Sequence, residues 1–432
     1  MLAGLARMFK KPWFLKIASS MAGIATRFSD VQSPKLRELW LKNKELYETK
    51  ERRILDAITM RREPDKVPAV AIATNFFAAK YAGITCADFM FDAKKMRSAF
   101  FKMDEDFNFD STFTSFMLGI GRILTAFDVN LFLLPGRDVN VNSSYQYNEF
   151  ERLKQDEYDD FLEGGIKYLM DTLAPRFSDL FKANSFKKIS LFGRVLFEGL
   201  KFGQVTFSMM NELKARGSHN IFGGAAIAPF DLMSFAFRTM GGVAKDMMKK
   251  QTQEKLIEVC ERMEPYMTSV FSLLPKASGN PGIFFVSERA FSLSPRQFEK
   301  FYWPTLKKII VTLARDGNIP FLLWEQDTTH LVHFLLELPK SISRRCVFLC
   351  DSGDIYEINK ILDGHICIQG NIPLSTMCVG TPKDVEKYCA QLFKELKPGG
   401  GFMLSPALGI PDEAKPENVH AYINYAEKHG WY

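Results

Sequence analysis

The 432-residue sequence has no CxxC pair, no phosphate-binding glycine loop, no nucleophile elbow and no zincin motif. Those gaps remove the signatures of P-loop enzymes, α/β-hydrolases and zinc proteases. Its seven cysteines, Cys86, Cys260, Cys346, Cys350, Cys367, Cys378 and Cys389, are odd in number and scattered. They argue against a disulfide framework and for a reducing, cytoplasmic setting. Charge of one sign is also lacking. Net charge is +6, and four of those six charges fall in residues 1–30, where Arg7, Lys10, Lys11, Lys16 and Arg27 face only Asp30. The remainder is close to neutral, which excludes a basic face for nucleic acid. Long apolar runs are missing near the N-terminus. The longest uncharged stretch there, Ile17 to Thr26, is far short of the roughly 20 residues a spanning helix needs. Pro12 and Lys16 interrupt any secretory signal. Leu2, Leu5, Met8 and Phe9 share one helical face, so residues 1–28 suit either a helical pair packed on the main domain or peripheral contact with an anionic membrane surface.

What is present is a globular composition, 47% hydrophobic and 25% charged, with 39 Phe and 19 Met. That surplus suggests a large apolar interior or pocket. A charged helical stretch, Lys35 to Met60, precedes an apolar run at Val67–Ala73. From residue 282 the chain alternates short apolar strands with capped helices: GIFFVSE, IPFLLWE, CVFLCDS, HICIQGNI and FMLSPA each lead into a helix. Ser294-Pro295 and Thr381-Pro382 place a hydroxyl at the N-cap and proline at the first helical position. Five consecutive units of this kind require parallel strands. Earlier strands at Val67–Ala73, Phe109–Thr114 and Val129–Leu134 bring the count to eight, and Gly119-Ile120-Gly121 is no dinucleotide fingerprint. The expectation is an α/β fold, a (β/α)8 barrel over residues 51–432, with an N-terminal helical extension at 1–50. Helices inserted between 151 and 275, including the small-residue stretch Gly223-Gly224-Ala225-Ala226, are expected to roof the barrel mouth.

In such barrels chemistry sits at the C-terminal ends of the strands. The residues there are Thr74-Asn75, Glu288-Arg289, Glu325-Gln326-Asp327, Asp351, Asn371 and Ser405. Glu288, Glu325 and Asp351 are expected to converge and to raise the pKa of at least one of the three, which suits general acid work. Glu325 directly follows Phe321-Leu322-Leu323-Trp324 and is the favoured acid, because glutamate is seldom left unpaired at the end of an apolar strand. Asp327 and Asp351 also suit helix caps. Arg289, Asn75, Asn371, Trp324, Phe76 and His219 are candidate substrate-binding residues. No metal cluster is legible. Phe76, Phe77, Phe113, Phe116, Phe222, Phe230, Phe285, Phe291 and Trp324 fall near strand ends or in the expected roof, where they serve either as core or as an apolar pocket.

Three stretches carry a family resemblance: RREPDKVPAV, LSPRQFEKFYWPTLKKII and GNIPLSTMCVGTPKDVEKYCAQLFKELKPGGGFMLSPALGIPDEAKPENV. From about Glu51 to its end the chain resembles the uroporphyrinogen decarboxylase superfamily, which includes corrinoid-linked methyltransferases. The resemblance implies the same barrel. The decarboxylase's arginine-rich segment after the first strand is replaced by Thr74-Asn75-Phe76-Phe77-Ala78-Ala79-Lys80, with no arginine to grip a polyacid. Thiol-methylating members hold zinc with a His-x-Cys and a late Cys. Leu323, Glu325 and Leu408 stand at those positions here, so zinc is not expected, and Glu325 is the one ligand a metal would find.

The resemblance therefore implies a component that demethylates a bulky, mostly apolar substrate, such as a methoxyaromatic or polycyclic compound, and passes the methyl group to a corrinoid protein. The chain has no Asp-x-His-x-x-Gly cobalamin motif, so the cofactor would come on that partner. The alternatives are a decarboxylase-like lyase acting on a non-porphyrin substrate, and an inactive binding partner.

Overall fold

The computed structural model describes residues 34–73, 76–114, 119–182 and 185–432. The N-terminal segment expected to pack on the main domain or touch a membrane lies outside them. Its strands are β1 (Val70–Ala73), β2 (Ser111–Thr114), β3 (Phe132–Leu133), β4 (Gln146–Tyr147), β5 (Phe222–Ile227), β6 (Gly282–Ser287), β7 (Ile319–Trp324), β8 (Val347–Cys350), β9 (Cys367–Ile372) and β10 (Phe402–Pro406). The last six form one parallel sheet in the order β5-β6-β7-β8-β9-β10, and β1 and β2 form a parallel pair. Two thin seams join pair to sheet. At one, Ala69 bridges Leu404 and the Leu404 amide donates to Pro68 O at 2.8 Å. At the other, the Thr112 amide donates to His219 O at 3.0 Å. Eight parallel strands thus follow one another around a (β/α)8 barrel, as the sequence leads one to expect.

One of the eight is not the expected one. Val129–Leu134 contributes only β3, which pairs antiparallel with β4 outside the barrel. Its place is taken by β5, built from the small-residue stretch expected to be part of a helical roof. Glycine is required there by close approach: a Cβ on Gly223 would stand 2.2 Å from the carbonyl oxygen of Asn280. The β5–β6 register also shifts between Phe222 and Gly224. The stretch from 151 to 275 therefore holds a barrel strand as well as helices.

Strand alternation sorts the apolar residues into two layers. Phe284, Phe321, Leu323, Val347, Leu349, Cys367 and Met403 point inward, whereas Phe285, Leu322, Trp324, Phe348 and Ile368 pack outward against the helices. Helix α1 (Pro34–Thr59) runs through residue 50 without a break and sets Ile54, Ala57 and Ile58 against the inner layer. These meet the first residues of β1, β2 and β5, so α1 plugs the base. A charged joint fixes the plug. Arg53 binds Asp65 through two hydrogen bonds of 2.7 and 2.8 Å and also pairs with buried Asp110. Asp110 accepts from the Ala69 amide at 2.8 Å and lies 3.7 Å from Lys66 Nζ, which also pairs with Glu427.

The longer outer helices include α2 (Ala93–Asp106), α3 (Ser185–Ala215), α4 (Lys250–Phe271), α5 (Trp303–Arg315), α6 (Pro382–Leu396) and α7 (Pro416–His429). Thr381 caps α6 by accepting from the Asp384 amide, and Ser294 caps the turn before α5 in the same way. Among the described residues no helix is long and apolar enough to cross a membrane.

The β5–β6 contact yields a test. Gly223→Ala is expected to cost about 2 kcal/mol in urea unfolding, because backbone rather than a movable side chain blocks the new methyl. Gly203→Ala on α3, where a Cβ meets nothing within 4 Å, is expected to gain up to about 1 kcal/mol.

Candidate active site

Inward parity continues past the strand ends. Val286, Leu323 and Leu349 belong to the inner layer or pack on it, so Glu288, Glu325 and Asp351, two residues further on, face the C-terminal mouth. Strand register sets them side by side, since Ser287 pairs with Trp324 and Trp324 with Cys350. Burial pushes the Glu325 carboxyl up to about 7, with Glu288 and then Asp351 adding like-charge repulsion and Arg289 opposing it. Asp351 accepts from the Gln326 amide at 2.8 Å. Gln326 itself has a left-handed backbone, with φ of 60°, an unfavourable conformation for a non-glycine residue and one that concentrates at working sites.

The remaining groups come from elements the sequence did not point to. The β3–β4 ribbon stands over the mouth and brings two tyrosines. Tyr147 donates to Glu288 at 2.7 Å. The Tyr145 phenol is pushed up to about 12 by burial and then by Glu288 and Glu325. Asp231, just beyond β5, is fully buried; it accepts from the Tyr302 hydroxyl and from the Arg289 amide, the latter at 3.0 Å. Burial raises its carboxyl well above the ordinary range. Asp231 was legible only to a reader who had placed a strand at 222–227, which would have made Pro229-Phe230-Asp231 a strand end.

The candidate binding residues divide. Arg289 lies at the mouth, its Nε buried without a hydrogen-bond partner among the described residues. Asn371 sits at the end of β9, but its side chain is spent on structure. It donates to Gly353 O at 3.2 Å and Asp351 O at 3.4 Å, and it accepts from Tyr388 at 3.0 Å. Asn371 therefore fixes the loop that carries Asp351. Trp324 is not at the mouth. It is one residue out of phase with Glu325 and is buried among Phe298, Trp303 and Phe348. Phe76 is also core, packed edge-on to Phe89, while its amide donates to Asp412 at 2.6 Å. His219 lies at the opposite end of the barrel, before β5, edge-on to Tyr47 of α1. Burial, with Lys50 and Lys214 nearby, pushes it down to about 3, so it stays neutral.

Phe230 and Phe285 are core, and Phe222 lies in the base, so most of the expected aromatic lining belongs to packing. Asn75 and Phe116 lie outside the described residues. Among the described residues no group of three or more His, Cys, Asp or Glu converges as a metal-ligand set.

Fold and mouth together define a (β/α)8 barrel with acid and base groups crowded at its C-terminal end. The chain belongs to the uroporphyrinogen decarboxylase (URO-D) family, whose profile matches residues 197–429. No curated protein matches the sequence. Among solved structures it is similar to a methyltransferase from Methanosarcina mazei, with a TM-score of 0.62 and 14% identity over 87% of this chain and 97% of that one. At that identity the likeness is one of fold.

The raised Glu325 sets a pH dependence for stability. Between about 4.5 and 7 the unfolded chain releases this proton while the folded one keeps it, so this residue's contribution falls as pH rises through that window. Glu325→Gln is expected to be the more stable protein at pH 8 by up to about 3 kcal/mol. The gap should close toward pH 4.5, as read by urea unfolding at both pH values.

Proposed function

We propose that this chain is the substrate-demethylating component of a corrinoid-linked methyl transfer. The observation that carries the reading is Glu325, held protonated close to neutral pH between two other carboxylates at the barrel mouth. Family membership and the fold shared with a methyltransferase support it. A methyl ether is a poor methyl donor because its leaving alkoxide is strongly basic, so an acid must be delivered to the oxygen as the C–O bond breaks. Glu325 supplies that proton. The methyl group goes to the acceptor, the C–O electron pair stays on oxygen, and the proton makes it a neutral alcohol. Arg289, which faces Glu325, offsets the carboxylate left behind. Asp231 holds the Arg289 amide in place, and Tyr145 and Tyr147 cover the mouth against water.

A corrinoid borne by a partner protein would supply the nucleophile that takes the methyl group. What the residues at the mouth offer is an acid and polar anchors for the methyl donor. The substrate we propose remains a methoxyaromatic or polycyclic compound. Its support is now the ring surface of Tyr145, Tyr147, Phe132 and Phe235, which touch one another over the mouth, together with the scarcity of cations there. The family name favours a second reading, decarboxylation of a non-porphyrin acid.

With a corrinoid protein as acceptor, its visible absorbance reports methyl transfer. Glu325→Gln is expected to slow the transfer by about 10²–10⁴-fold, and the native rate to fall above pH 7. Undiminished turnover in the variant removes Glu325 from the mechanism, and CO2 release from a candidate acid establishes the second reading. In thermal-shift assays, methoxyaromatic rings are expected to raise the midpoint and porphyrin-like polyacids to leave it unchanged. The reverse pattern overturns the substrate class.

A further inference from the structure

Helix α3 is too long for the barrel it flanks. Its 31 residues span about 46 Å, whereas α2, α5, α6 and α7 have 13 to 15 residues each. Its C-terminal end is anchored at the base, where Asn43 of α1 donates to Ala215 O at 3.1 Å. Phe202 and Met96, the latter in the first turn of α2, both lie against Gly119, which sets Phe202 level with the mouth-side start of α2. The residues before Phe202 therefore project past the mouth. On this projecting half Ile189, Phe192, Leu196, Phe197 and Leu200 are each between 47% and 63% exposed. At roughly 100° per residue they occupy one arc of about 140°, opposite buried Val195. From residue 189 to 201 the arc otherwise holds only Gly193.

The charges beside this arc identify what covers it. Arg194 and Lys201 are exposed along its edge, and the single carboxylate of this stretch, Glu198, is half-buried and turned toward the protein. A surface that meets another protein carries a mixed polar rim whose groups pair across the interface. Here there is an apolar stripe, a cationic edge and no carboxylate in the stripe, the pattern of a helix lying in the headgroup region of an anionic bilayer. Residues 1–30 have the same apolar and basic chemistry in sequence.

We propose that the projecting half of α3, from residue 189 to 201, is a lipid-docking surface that sets the barrel mouth against an anionic membrane. The surface stands apart from the methyl-transfer reading and survives that reading's failure.

The test is flotation of the full chain at low salt with vesicles of phosphatidylcholine and phosphatidylglycerol in equal parts, and with phosphatidylcholine alone. The chain is expected to float with the anionic vesicles. F192S/F197S/L200S is expected to lose at least about tenfold in binding, and R194Q and K201Q about fivefold each, with unchanged thermal midpoints. The proposal falls if the native chain stays in solution with both vesicles. It falls equally if the triple variant floats as well as the native chain, which would assign any contact to the N-terminal segment. A native dimer that fails to float and that the triple variant turns into a monomer would assign the stripe to a second copy.

Discussion

The buried carboxylate of Asp110 is the joint on which the barrel closes. Hydrogen bonding along the strands leaves two gaps, one on each side of the β1–β2 pair, and each is crossed by very few backbone contacts. Asp110 stands just before β2, bonds the amide just before β1, and draws in Arg53 from the base helix and Lys66 from the approach to β1. Such a group is costly to bury alone and tolerable only when each of its oxygens has a partner. Here each does, so one residue ties plug, pair and sheet together. At the other end the register of β6, β7 and β8 carries three carboxylates to the same height.

At the mouth the governing constraint is the opposite one, charge without enough partners. Glu288, Glu325 and Asp351 cannot all ionise at low cost in a half-buried space. Two have donors, the Tyr147 hydroxyl and the Gln326 amide. Among the described residues none donates to the Glu325 carboxyl, which takes up the proton. Asp231, deeper and bonded to Tyr302, supports the backbone of Arg289 rather than facing substrate. The division of labour among four acids thus follows from which of them the fold supplies with hydrogen-bond donors.

Much of this was legible because the second half of the chain is regular. β6 to β10 read as apolar runs, their helices carry caps at Ser294 and Thr381, and the strand-end acids stand out against apolar neighbours. β5 was hidden because glycine and alanine replace the branched residues that usually mark a strand, for a reason visible only in three dimensions, the nearness of Asn280 to Gly223. Val129–Leu134 looked like a barrel strand because it is apolar, yet only Phe132 and Leu133 form a strand, paired in a ribbon, while Val129 makes a lone antiparallel bridge to Ser178. Trp324 was misplaced by adjacency. A strand alternates, so the neighbour of a mouth residue faces the helices, and parity alone would have assigned it to the core. His219 lay next to a strand not yet recognised, and its position at the base followed once β5 was placed.

The charged joint at the base also has a bearing on synthesis. Lys66 pairs with Glu427, 361 residues later, the Val67 amide donates to Gly430 O, and Ala69 bridges Leu404. Every one of these bonds joins the opening of the barrel to its final stretch. While the chain emerges from the ribosome, the β2 side of the pair meets its neighbour once His219 is made, but the β1 edge carries unpaired peptide groups until Leu404 follows. The circle closes only once residues 402–430 are in place, so a chain cut before Phe402 leaves an open sheet with exposed edges rather than a smaller barrel.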